Sequence, residues 1–231
     1  MRQRRPKNLN EKIEKFNKYL VSDPENFKNN WLSAFNSVQI SGTSDGDPTA
    51  NRILKTTKLF LEIGSGKGKF ITELAAENPQ NLYIGFEGQD TVILRALEKI
   101  SEKDLNNIVM CKYYINDFGD IFGCGELNGI YLNFSDPWPK ARHEKRRLTS
   151  PGYLDVYAKS LVDSGFIKMK TDNKDLFDYS MEQFKLHSKL SILEYTEDLH
   201  HSVYNDENIM TEYEKKFSNF NKKINYVCVN K

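Results

Sequence analysis

From Lys58 onward, short apolar runs alternate with segments of helical length, and this alternation restricts the fold more than any other feature of the sequence. Runs at 59–63, 82–86, 108–113, 129–134 and 166–170 read as strands, nearly continuous in their hydrophobicity, as strands buried on both faces are. Helices are expected at 70–77, 92–100 and 151–161, the last with Thr149 or Ser150 as its cap and Pro151 in its first turn. Another helix should follow Asp172, and further strands are expected at 191–195 and 224–229. Strands interleaved with helices predict a doubly wound, mostly parallel, seven-stranded α/β sheet with helices on both faces and right-handed crossovers. In such sheets ligands bind beyond the carboxyl ends of the strands.

That rule gives meaning to a second pattern. Each of the first five runs meets an acidic or amide side chain at or just past its end: Glu62, Glu87, Asn116 or Asp117, Asp136 and Asp172. Acids placed by chance in loops would fall on both edges of a sheet. A set confined to one edge points to a binding site.

The loop after the first run reads LEIGSGKGKF, with Gly64, Gly66 and Gly68 between a strand and a helix. Glycines there allow positive φ and close approach of backbone to ligand. The spacing rejects a P-loop, which needs GxxxxGK followed by Ser or Thr, and a dinucleotide fingerprint, whose third glycine would fall on Lys69. What remains is E-x-G-x-G-x-G, with Glu87 closing the next strand, where it can accept hydrogen bonds from ribose hydroxyls. Glu62 would repel a pyrophosphate but attract a cation. S-adenosyl-L-methionine carries a sulfonium and an ammonium and suits such a pocket.

The fourth run ends in NFSDPWPKARHEKRR. Pro137 and Pro139 each fix φ and bias the residue before them towards extended geometry, so Asp136 sits on a stiff turn suited to positioning a substrate. Formal net charge is only +1, but residues 1–20 carry seven Lys/Arg against two Glu, and 140–147 carry five against one. Two basic clusters on a nearly neutral chain suggest directed contacts with a polyanion. The three cysteines form no CxxC pair and read as free thiols of a reducing cytoplasm, and the four histidines show no metal spacing. No apolar run approaches the length of about 18 residues that a membrane span needs. A basic helical extension with Asn10 as cap, followed by a flexible loop, is expected over 1–57, and the main domain over 58–231.

With MRQRR, LEIGSGKG, YIGFE, YLNFSDPWPKARHEKRRLT, FIKMKTDN and MTEYEKKF, the chain resembles the bacterial tRNA (guanine-N7-)-methyltransferases. These are class I, Rossmann-like enzymes dependent on S-adenosylmethionine, and the resemblance implies methylation of N7 of a guanosine in the tRNA variable loop. It implies cofactor binding by Glu62, Gly64, Gly66, Glu87 and Asp136, with Asp136 also catalytic. It places Lys140, Asp172, Thr211, Glu212, Tyr213 and Glu214 at the substrate, and Arg142, His143, Glu144, Lys145, Arg146 and Arg147 against RNA. The acid usual in the family after the third strand falls on Tyr114 here, leaving Asn116 and Asp117 as the nearest polar groups for the cofactor's adenine. Read without the resemblance, Asp172 and Asn173 fit a helix cap as well as a substrate contact, and 211–214 fits a capping box. The implied protein is cytoplasmic, monomeric or homodimeric, and needs neither membrane nor metal. Its rivals are an RNA-binding module without cofactor, a nucleotide-dependent oxidoreductase, and a methyltransferase acting on an exocyclic amine.

Overall fold

The computed structural model of the protein describes residues 7–38, 57–114, 118–217 and 222–231. The loop expected at 41–51 and the basic residues of MRQRR lie outside them. The chain divides into two compact units, Met1–Ile121 and Phe122–Lys231.

The first unit holds α1 (Leu9–Glu14), β1 (Leu20–Val21), β2 (Leu59–Ile63), α2 (Lys69–Glu77), β3 (Leu82–Phe86), α3 (Asp90–Glu102) and β4 (Ile108–Cys111). Its strands run β1-β4-β3-β2, and every pairing is parallel. β2 and β3 are buried at every residue and pair in register from Leu59–Leu82 to Ile63–Phe86. Helix α3 turns Ile93, Leu94, Ala96, Leu97 and Ile100 inward, the stripe that a 3.6-residue period gives. The N-terminal helix is shorter than its apolar spacing suggests. It starts after Asn8, not Asn10, and the chain tightens into a 3₁₀ turn at Asn17–Tyr19. Leu20 then leaves the helix to pair with Met110 as the short extra strand β1. Trp31, 1% exposed, anchors the following segment by donating its indole N–H to the Ile121 carbonyl at 3.0 Å.

The second unit holds β5 (Leu127–Asn133), α4 (Pro151–Ser160), β6 (Leu161–Thr171), α5 (Lys174–Leu186), β7 (Ser191–Thr196), α6 (Glu212–Phe217) and β8 (Asn225–Asn230). The order is β5-β6-β8-β7, with β5 parallel to β6 and β8 antiparallel to both its neighbours. β6 begins earlier than its apolar run because Leu161 already pairs with Leu127. The pairing then skips to Phe166 opposite Gly129, and the intervening Ser164 takes φ 65° in a bulge. Ser150 stands at the start of α4 without capping it. Its hydroxyl donates to the Lys145 carbonyl, while Thr149 bonds Ser180 at 2.7 Å. The described residues therefore carry eight strands, the added one being β1.

Candidate active site

In the first unit, parallel pairing puts the ends of β2 and β3 on one edge, so Glu62 and Glu87 flank the glycine loop. Gly64, Gly66 and Gly68 take φ values of 77°, 57° and 78°. The N–H groups of Gly64 and Ser65 both donate to the Phe86 carbonyl at 2.9 Å, which straps the loop to the end of β3. Glu87 completes the strap: one carboxylate oxygen accepts the Gly66 N–H at 3.1 Å, the other the Gln89 N–H at 2.9 Å. Burial pushes the Glu87 carboxyl above its ordinary range, and the backbone N–H bonds from Gln89, Gly66 and Gly88 pull against that. Glu62 is 2% exposed at the loop's base.

The three glycines differ in what they face. A Cβ at Gly64 or Gly66 would meet nothing within 4 Å, leaving open space for a ligand beside the backbone. A Cβ at Gly68 would stand 2.7 Å from the Ala96 Cβ, because α2 starts hard against α3. Gly68→Ala should therefore cost more than Gly64→Ala. Both pay a left-handed backbone penalty of roughly 1–2 kcal/mol, and only Gly68 adds overpacking of about 1–3 kcal/mol. Urea unfolding of the two variants measures the difference.

Past β4, Tyr114 is 63% exposed and lies over Gly88, where a Cβ would come within 2.2 Å of its ring. Asn116 and Asp117, expected at the adenine, lie outside the described residues.

In the second unit, β5 and β6 also end on one edge, carrying the 134–139 turn and Asp172. The turn holds two bulky residues in the left-handed region, Phe134 at φ 53° and Trp138 at φ 42°. For Trp138 this departs from the extended geometry favoured before Pro139, at a cost of about 1–3 kcal/mol. Asp136 is exposed on this turn.

Of Asp172 and Asn173, the role of capping α5 falls to Asn173, which accepts the Leu176 N–H at 2.7 Å. Asp172 instead accepts the Tyr213 hydroxyl at 3.0 Å and an ion pair from Lys222, and the Tyr213 ring packs 4.9 Å from that of Phe134. The segment 211–214 does form a capping box: the Glu214 N–H donates to the Thr211 hydroxyl at 3.0 Å, and the Thr211 N–H to the Glu214 carboxylate at 3.4 Å.

Glu214 is 0% exposed, and its carboxylate also takes Lys170 at 2.8 Å, Asn208 at 2.7 Å and His200 at 2.8 Å. Burial works to raise its carboxyl, but the Lys170 charge and the bonds from Lys170, Asn208 and His200 outweigh it and hold the group below its ordinary range. Glu214 thus fixes the loop from beneath, while Tyr213 is exposed and Glu212 half-buried. Lys170 was not singled out in the sequence. The strand stretch FIKMKT carries two lysines, Lys168 and Lys170, and residue type alone does not tell that the second is the buried one.

The basic run forms a 3₁₀ turn at Ala141–Arg146. Lys140, Arg142, Glu144, Lys145 and Arg146 are exposed, and His143 packs edge-on to Trp138 at 5.6 Å. Arg147 is half-buried and turned back onto the protein. Among the described residues no group of three or more His, Cys, Asp or Glu is arranged to hold a metal ion, and no helix is long and apolar enough to cross a membrane.

Residues 56–227 match the family described as "Putative methyltransferase". The tRNA (guanine-N(7)-)-methyltransferase of Lachnoclostridium phytofermentans is 44% identical over 90% of this chain and 88% of its own length. That of Alkaliphilus oremlandii is 40% identical over 99% and 98%. Among solved structures, an antibiotic-related methyltransferase aligns with a TM-score of 0.57 at 17% identity, covering 84% of this chain and 96% of that one. The 16S rRNA methyltransferase KamB aligns at 0.56 and 10%, covering 83% and 95%. At such identities these two establish the fold, which is that of the class I methyltransferases. The relatives establish kinship: the chain belongs to the tRNA (guanine-N(7)-)-methyltransferase family.

Proposed function

We propose that the protein transfers a methyl group from S-adenosylmethionine to N7 of a guanosine in the tRNA variable loop. The observation that supports this best is the glycine loop, open at Gly64 and Gly66 and strapped to the Glu87 carboxylate. That donor set fits a cationic, ribose-bearing ligand. Glu87 retains acceptor capacity for hydroxyls, and the Glu62 side chain places a carboxyl group at the base of the loop.

S-adenosylmethionine would supply an electrophilic methyl on sulfur. Guanine N7 carries a lone pair and no proton, so the chain's task is alignment, with the reacting atoms held about 3–3.5 Å apart. Asp136 would accept hydrogen bonds from the guanine N1–H and 2-amino group, orienting the base and stabilising the positive charge that grows on the ring. Tyr213, held by Asp172 and backed by Phe134, offers an aromatic face for the purine. Lys140, Arg142, Lys145 and Arg146 offer exposed charge to phosphates.

Incubation with unmodified tRNA and S-adenosylmethionine, digestion to nucleosides and mass spectrometry tests the reading. The expected product is 7-methylguanosine. A methyl on an exocyclic amine, or none, refutes it.

A further inference from the structure

We infer that Arg147 is a positioning residue that clamps the 136–139 turn, and that it does not serve as a phosphate contact. The inference rests on reading that turn as the one that presents Asp136 to substrate. Three contacts carry it. The Arg147 Nε and Nη2 both donate to the Trp138 carbonyl, at 3.3 and 3.2 Å. Its guanidinium lies 4.3 Å from the Tyr179 ring centroid, so α5 also supports the cation. Burial first, and then the Glu144 carboxylate beside it, push the Tyr179 phenol up to about 12, against the opposing pull of the Arg147 charge. The next residues tie the strut down, since Thr149 bonds Ser180 on the same helix at 2.7 Å.

The object held is the strained residue. Trp138 has φ 42° between two prolines, a conformation that persists only where its surroundings enforce it. Arg146 over its indole at 5.0 Å and His143 at its edge fix the ring, while Arg147 fixes the carbonyl. Asp136 lies two residues before that carbonyl, so its placement follows the clamp. The planar fork and the stacking face are specific to arginine. A lysine at 147 would keep the charge and lose both.

The separating experiment compares Arg147→Lys with Lys145→Gln, an exposed member of the same run. Each is measured for kcat and KM on tRNA, for the salt dependence of tRNA binding, and for Trp138 fluorescence by difference against its own Trp138→Phe version. Arg147→Lys should lower kcat by about 10- to 100-fold, change Trp138 emission, and leave the slope of log K against log salt at the parental value. Lys145→Gln should reduce that slope by roughly 0.7–0.9 with Trp138 emission unchanged. Arg147→Lys with parental kcat and emission would overturn the inference. So would an Arg147→Ala slope reduced by a full phosphate contact. The fluorescence arm needs no turnover: if the parent protein made no 7-methylguanosine, the proposed function would fail while the clamp could still be judged.

Discussion

Replacing Asp136 with Asn is expected to cut turnover by about 10²- to 10³-fold, the loss typical of removing one preorganised charge-stabilising group, with the melting temperature unchanged. Asp136 is exposed on the 136–139 turn, so the substitution removes charge and acceptor capacity without opening a cavity. The amide that replaces one oxygen donates where guanine also donates, at N1–H or the 2-amino group, so one contact turns repulsive. Because N7 loses no proton, the deficit should be the same across neutral and mildly alkaline pH, unlike that of a missing general base. Single-turnover methylation of tRNA at saturating cofactor checks both points. Near-parental rates for Asp136→Asn would remove the carboxylate from the mechanism.

The second large effect is on stability. Glu214→Gln leaves the Lys170 ammonium buried with a neutral partner, and breaking such a pair costs about 3–5 kcal/mol. At roughly 2–4 °C per kcal/mol for a chain of this size, the melting temperature should fall by on the order of 10 °C. The pH dependence has a definite sign. The Glu214 carboxyl is held below its ordinary range in the folded protein, so its contribution is complete above the unfolded value and disappears as pH falls through the folded one. The variant should lack that part of the acid limb and unfold with a shallower dependence on pH. Activity should suffer even where the variant is folded, because the same carboxylate seats the loop that carries Tyr213. A loss under about 1 kcal/mol would show that the pair is not the loop's anchor.

Much of the fold was legible because periodicity and punctuation agreed. β2 and β3 begin and end where their apolar runs do, and α2 starts one residue before its expected position. Errors arose where tertiary pairing decided the matter. Two residues, Leu20 and Val21, are too few to show a strand period, and only pairing with Met110 and Cys111 makes them β1. The polar DSG of 163–165 falls between the helix expected to 161 and the strand expected from 166, and it is a bulge inside β6. At the site, residue types and spacing gave the glycine loop and the acids after the strands. They could not tell Asp172 from Asn173, because either can cap a helix, and only geometry gives the cap to Asn173. Nor could a run of five cations reveal that its last member faces inward, since charge in a sequence carries no direction.

In the proposed function Glu87 would have two tasks, holding the loop and meeting the ligand, and this narrows what can replace it. Its oxygens already hold the Gly66 and Gln89 amides, so the hydroxyls of a ribose bound there, as proposed, would have to share them through the remaining lone pairs. A glutamine has one accepting oxygen for two backbone donors, so it would either orphan an amide or turn its NH₂ towards the sugar. An aspartate is one methylene shorter and would pull back from the loop. If the proposed function holds, ordering the peptide and reading the nucleoside would be a single event at this side chain, and no change at position 87 alone would free the loop while keeping sugar recognition.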